Sequence, residues 1–173
     1  FDIAGDANAT ALYRQVAETL RDAFCELYAQ LTDGTVTETP QDVEQASYRA
    51  RRVPADGLLD FRRARDEVDR LVRAVTHPYP GAYTYYRGRK VEVWRSDLDD
   101  VPDHQGVPGQ ILARRDERLL VQAEDGPLWL SDLTHDGDPI ASSELAIGDT
   151  LGYRIEDEIH ALRREVAEMK ARL

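Results

Sequence analysis

Lysine and cysteine are almost missing from this chain. Two lysines, Lys90 and Lys170, stand beside 20 arginines, and Cys25 is the only thiol. A single cysteine can make neither an internal disulfide nor a cysteine-based zinc site, which excludes a disulfide-stapled scaffold and a zinc ribbon. That usage suits a reducing compartment and predicts a cytoplasmic protein. No apolar run approaches the ~18 residues of a membrane span, and no basic-then-apolar stretch opens the sequence, so neither membrane association nor a signal peptide is expected. His77, His104, His135 and His160 are scattered without ligand spacing, so no metal motif is read. A Gly-rich phosphate loop, a G-x-S-x-G elbow and a spaced Cys/His pair are also missing. The residues alone therefore nominate no catalytic group.

What the chain does have is acid. Its 173 residues carry 20 Asp and 13 Glu, for a net charge of −11. The hydrophobic fraction of 42% is enough to build a core, which excludes wholesale disorder and leaves room for one ordinary domain or two small ones. An Asp-rich, Lys-poor surface is what a protein in concentrated salt carries, because carboxylates hold water and lysine adds exposed alkyl area. Codon bias explains the Arg excess equally well, but not the Asp excess, so halophily is the expectation. The sequence opens on Phe1 rather than methionine and reads as a fragment or a processed product.

The periodicity predicts an α+β chain. Leu12, Val16, Leu20, Phe24, Leu27 and Leu31 recur at three and four, giving a helix over 9–31 that Asp6, Asn8 or Thr10 would cap and Asp33-Gly34 would stop. Residues 35–46 are polar, contain Pro40 and read as a linker. A second helix is predicted over 64–76, with Val68, Leu71, Val72 and Val75 on one face and His77-Pro78-Tyr79-Pro80-Gly81 as its terminator. From Ala82 the period drops to two. Short strands are expected at 83–86, 90–94, 110–113, 118–122 and 128–133, with turns between them. Five short antiparallel strands suggest a small OB-like barrel.

The final stretch, 153–173, is a predicted helix with a heptad seam. Ile159, Val166 and Leu173 fall at a, and Ile155, Leu162 and Met169 at d. Glu158 and Glu165 at g would meet Arg163 and Lys170 at e of a partner, which points to a homodimer through residues 153–173. The alternative is a helix whose apolar face packs on its own domain. The organisation expected is thus an N-terminal helical piece (1–34), a linker and connecting helix (35–76), a barrel (77–150) and a coiled-coil-like helix (151–173).

Charge is distributed unevenly. Residues 1–46 carry −7, 47–76 carry +3, 77–133 carry −3 and 134–173 carry −4. The one basic island is entirely arginine, whose planar fork matches phosphate or carboxylate. Part of it has a bland explanation: Arg62–Asp66, Arg65–Asp69, Asp66–Arg70 and Asp69–Arg73 are all spaced i,i+4 on the second helix. Arg49, Arg51 and Arg52, beside Tyr48, have no such partners and are the candidates for binding an anion. An acidic barrel argues against a nucleic-acid partner, which needs a positive groove.

The central residues carry a resemblance. The run Tyr48…Arg51-Arg52…Pro54…Asp56-Gly57…Asp60-Phe61, with Leu71-Val72-Arg73-Ala74-Val75 and Pro78-Tyr79-Pro80-Gly81-Ala82, resembles the 10-formyltetrahydrofolate-dependent formyltransferases. It is similar to the segment joining their catalytic and C-terminal domains; the family usually has Asp-Trp where this chain has Asp60-Phe61. Pro108-Gly109-Gln110-Ile111 and Leu120…Gly126…Leu128 look like the family's C-terminal domain. The family includes methionyl-tRNA formyltransferase and the sugar-nucleotide N-formyltransferases, and the 73–82 wording together with the acidic barrel favours the latter. The resemblance implies that 10-formyltetrahydrofolate and the catalytic residues belong to an N-terminal Rossmann-like domain, of which residues 9–31 resemble the last helix. No catalytic residue is therefore carried over to this chain. It also implies that Tyr48, Arg49, Arg51, Arg52 and Arg73 help bind the anionic part of a small amine acceptor, an amino sugar nucleotide. Two alternatives stand beside this: the C-terminal part of a methionyl-tRNA formyltransferase, or a binding and dimerisation module without chemistry.

Overall fold

The computed structural model describes residues 1–153 and 155–171. The chain forms α1 (Ala9–Asp33), α2 (Arg65–Val75), strands β1 (Ala82–Tyr86), β2 (Arg89–Asp97), β3 (Ile111–Arg115), β4 (Arg118–Gln122), β5 (Pro127–His135) and β6 (Asp138–Pro139), and α3 (Ile155–Ala171). Short 3-10 turns occupy Val43–Gln45, Pro54–Gly57 and Ser142–Glu144. Leu173, the last a position of the heptad seam, lies outside the described residues.

Helix α1 starts where its cap chemistry says it should. The side chain of Asn8 accepts from the amide of Ala11 at 2.9 Å, meeting a donor that the first turn leaves unpaired. Gly34 ends the helix in the left-handed region, at φ 68°, which only glycine adopts without strain. The apolar stripe of α1 is not buried: Leu20 and Phe24 are 65% and 66% exposed, and Leu27 and Leu31 are also open. Only the start of the helix is tied to the rest, through Thr10 Oγ1 donating to the carbonyl of His77 and Arg73 donating to the carbonyl of Ala7.

The sheet is fully antiparallel, in the order β1-β2-β5-β4-β3, with β6 added to β5. The β1–β2 hairpin turns through Arg87 and Gly88, both at positive φ (50° and 79°), a backbone twist that suits a two-residue hairpin loop. Thr84 pairs with Val91, Val93 with Leu133, and Leu120 with Trp129. The expected barrel is an open sheet: β1 and β3, at its two ends, do not pair with each other. The segment 148–152 reaches both. Ile111 donates to the carbonyl of Asp149 at 2.8 Å, and Gly152 donates to that of Tyr85 at 2.7 Å. Tyr86 reinforces this end by donating to the Asp149 carboxylate at 2.7 Å.

One face of the sheet holds the core. Val93, Ile111, Leu119, Leu128 and Leu130 are fully buried there, beneath Val68 and Val72 of α2 and Leu59 and Phe61 of the preceding segment. On the other face, Leu120 and Trp129 are also buried. The guanidiniums of Arg115 and Arg118 lie 5.2 and 5.0 Å from the Trp129 ring, and the indole N–H donates to the Asp100 carbonyl. Arginine here acts as an amphipathic cover over an aromatic face. Strand β4 therefore reads as a continuous apolar run instead of an alternation, because both of its faces are covered.

Candidate functional site

The basic island gathers where the linker crosses α2. Residues 47–53 are exposed and irregular and run into the Pro54–Gly57 turn, which a few contacts lock. Asp56 folds back to accept the amide of Val53 at 2.8 Å, making the 3-10 turn. Leu59 donates to the carbonyl of Tyr83 at 2.8 Å, and the Tyr83 hydroxyl donates to Ala55, so the turn is moored to β1. Gly81 donates to the carbonyl of Val75, closing α2 against the Tyr79–Gly81 loop. The ring of Trp94 lies directly under Gly81 and is stacked on His77 at 4.0 Å between centroids.

Two clefts open beside this mooring. The first, about 600 Å³, lies between residues 50–58 and α2; Arg51, Arg52, Arg63 and Arg70 rim it over Leu71 and Ala74. The second, about 520 Å³, shares Arg51 and Arg52 and is bounded by Pro54, Val75, Tyr79 and Gly81. Arg51 and Arg52 thus stand on the ridge between the two. Among the described residues, the side chains of Arg49, Arg51, Arg52 and Arg70 form no ion pair. Two carboxylates share this lining: Asp56, in both clefts, accepts the Val53 amide, and Glu67, in the first, pairs with Arg63. The guanidiniums of Arg51, Arg52 and Arg70 suit an anion attached to a flatter, less polar body.

The expected site residues separate into three groups. Arg51 and Arg52 line both clefts. Tyr48 is 86% exposed, and neither it nor Arg49 lines either cleft. Arg73 is held: it pairs with Asp69 at 2.8 Å and donates to the Ala7 carbonyl at 2.7 Å. Asp69 in turn accepts from Ser96 Oγ at 2.7 Å, so this half-buried network ties α1, α2 and β2 together.

Of the i,i+4 pairs expected on α2, Asp69–Arg73 forms, whereas Arg65 and Arg70 are in no ion pair among the described residues. Arg62 pairs with Asp60, whose carboxyl is held below its ordinary range chiefly by that side-chain hydrogen bond. Arg70 and Tyr79 line the clefts without being among the expected site residues. The i,i+4 spacing pairs Arg70 with Asp66, and Tyr79 stands in the helix stop and in the 78–82 run that carries the resemblance. The signal available for both was proximity in sequence to residues facing the linker, which shows nothing until the linker is placed.

The described residues contain no group of three or more His, Cys, Asp or Glu able to hold a metal ion. No described helix is long and apolar enough to cross a membrane.

Residues 52–149 match the formyl transferase C-terminal domain family. The chain belongs to that family. The match begins at Arg52, on the ridge between the clefts, and ends at Asp149, the residue that joins the two ends of the sheet. Solved structures of HypX from Aquifex aeolicus share the fold. One multiply substituted variant is 22% identical over 79% of this chain and 24% of its own, with a TM-score of 0.64. Another is 20% identical over 89% of this chain and 31% of its own, at 0.66. The complex of HypX with tetrahydrofolic acid is 20% identical over 89% of this chain and 30% of its own, at 0.65. The chain therefore spans about a quarter to a third of the length of these HypX chains.

Proposed function

We propose that this chain works within a formyltransferase that moves the formyl group of 10-formyltetrahydrofolate to an amine, and that the acceptor is an amino sugar nucleotide. The observation that carries the acceptor is the ridge of Arg51 and Arg52 between two clefts, with Arg70 on the rim of the first and, among the described residues, no carboxylate paired with any of the three. A nucleoside diphosphate supplies the anionic groups these forks match, and the apolar floor at Leu71 and Ala74 suits a base or sugar face. The net charge of −3 over residues 77–133 favours a small anion over a tRNA, whose backbone needs an extended positive surface.

Family membership supports the formyl-transfer chemistry, and the tetrahydrofolic acid complex of HypX supports a folate donor. No residue of this chain is assigned to the donor or to the attack of the amine on the formyl carbon. The exposed stripe of Leu20, Phe24, Leu27 and Leu31 on α1 is the surface on which a catalytic domain would pack. In this reading Arg51, Arg52 and Arg70 bind and orient the acceptor. Arg73 is a positioning residue that fixes α2 and the start of α1.

The test is titration of the chain with uridine diphosphate and with a UDP-linked amino sugar, followed by calorimetry and by amide shifts at residues 50–58 and 70–81. Binding that maps to these residues and is lost in Arg51→Ala/Arg52→Ala is expected. Binding elsewhere, or binding indifferent to the double substitution, would overturn the assignment. In an enzyme carrying this chain, Arg52→Ala should raise the KM for the acceptor more than that for the folate. Equal effects would mean that the arginines support only the fold.

A further inference from the structure

No described residue of α3 lines either cleft, and four positions of its seam are open. Ile159, Leu162, Val166 and Met169 are spaced 3, 4, 3 and are 43%, 56%, 44% and 54% exposed. A helix of 17 residues is about 25 Å long, enough for two full heptads of contact. Four large apolar side chains along one line of such a helix are stable in water only when something covers them.

The charges beside the seam say what covers it. Arg163 and Lys170 fall at e, and Glu165 falls at g. No oppositely charged residue sits three or four places from any of these three in the sequence, so their own helix offers them no partner. Among the described residues none of them is in an ion pair. Arg164 differs: it stands at f, away from the seam, with Glu168 four residues on.

In a parallel pair of α3 helices, g of one copy faces the next e of the other, which sets Glu165 against Lys170 twice per dimer. In an antiparallel pair, e faces e, which sets Arg163 against Lys170. The charges therefore select the parallel arrangement as well as a second copy. The α1 stripe is a poorer match: around Leu20, Phe24, Leu27 and Leu31 its flanking positions hold Arg21, Ala23, Tyr28 and Gln30, which offer a carboxylate to neither Arg163 nor Lys170.

We propose that α3 is a dimerisation helix that pairs in parallel with α3 of a second copy of this chain, with Glu165 of each copy held by Lys170 of the other. Dimerisation places the two α2 clefts in one assembly without altering either.

A charge-swap experiment tests this on the full chain. Sedimentation equilibrium on the unaltered protein should show a reversible dimer. Glu165→Lys and Lys170→Glu each put like charges at both contacts, and each should weaken self-association by about tenfold or more. Mixed in equal amounts, the two variants restore both contacts and should recover a heterodimer of near-original affinity. A monomeric unaltered chain would overturn the proposal. So would single variants that dimerise as before, or a mixture that stays monomeric, the result expected if α3 packs on α1 or elsewhere. Circular dichroism of the two variants, expected to match the unaltered chain, separates lost pairing from lost folding.

Discussion

The carbonyl oxygen of Gly81 occupies the place where a side chain on Gly57 would begin: a Cβ built on Gly57 would stand 2.7 Å from it. This contact seats the Pro54–Gly57 turn on the loop after α2 and so sets the width of the cleft that Arg51 and Arg52 share. Gly57→Ala forces two backbones apart, and no flexible side chain can yield instead. The expected loss is about 1–3 kcal/mol. Urea denaturation measures it, and amide shifts at Val53–Leu58 should move more than those at β3–β4.

Arg70 and Arg73 lie one turn apart on α2 yet differ in what they touch. Arg70→Ala should change stability by no more than about 0.5 kcal/mol, because it removes an exposed side chain that is in no ion pair among the described residues. Its effect should appear as weaker binding of uridine diphosphate. Arg73→Ala removes the partner of the mostly buried Asp69 and the donor to Ala7, and should cost about 1–2 kcal/mol. Thermal unfolding paired with calorimetry of both variants separates the two roles.

Thr84 carries a hydroxyl that, among the described residues, is buried with no hydrogen-bond partner. Its neighbours in the register, Val91 across the hairpin and the apolar core, offer it nothing. Thr84→Val keeps the shape and removes an unsatisfied polar atom, so it should raise stability by about 1 kcal/mol. A fall in the unfolding midpoint would contradict this.

Asp149 supplies an acid-sensitive element. Its carboxyl is held below its ordinary value of 3.8, first by the hydrogen bond from Tyr86 and then by Arg87. The unfolded chain therefore binds this proton more readily than the folded one. The contribution is complete above the ordinary value and is lost as pH falls through the lower folded value. Stability of the unaltered chain should drop below about pH 4, and Tyr86→Phe should flatten that part of the profile while also lowering stability at pH 7. Denaturation midpoints at pH 7, 4 and 3 test both statements.

The elements were readable because each rests on short-range chemistry. The three-and-four spacing in residues 9–31 and the stop at Gly34 place α1 to within two residues, Asn8 being the one of three candidate caps that the fold uses, and the same reasoning places α2 and five of the six strands. The strand ends were less legible: β2 and β5 both run longer than their periodic centres, since hydrogen bonding between them continues beyond the alternation. Two-residue β6 carries too few residues for any period. Pairing of arginines was the poorest inference. Spacing of i,i+4 permits an ion pair but does not require one on an exposed face, where side-chain entropy competes with a screened attraction.

By itself the sequence determined the class of the fold, the all-arginine character of the basic island, the heptad line of α3 and the likeness to a formyltransferase. These depend on residue type and local period, which the chain carries wherever it goes. The tertiary structure decided that α1 leaves its stripe open, that the sheet stays unclosed with 148–152 bridging its ends, and that Arg73 is tied down while Arg70 is left unpaired beside Arg51 and Arg52. Those outcomes depend on which residues distant in sequence arrive at the same place: Ala7 at Arg73, Ser96 at Asp69, Gly81 at Gly57. An arginine's role follows from the partners that folding brings to it, and the sequence holds no record of them.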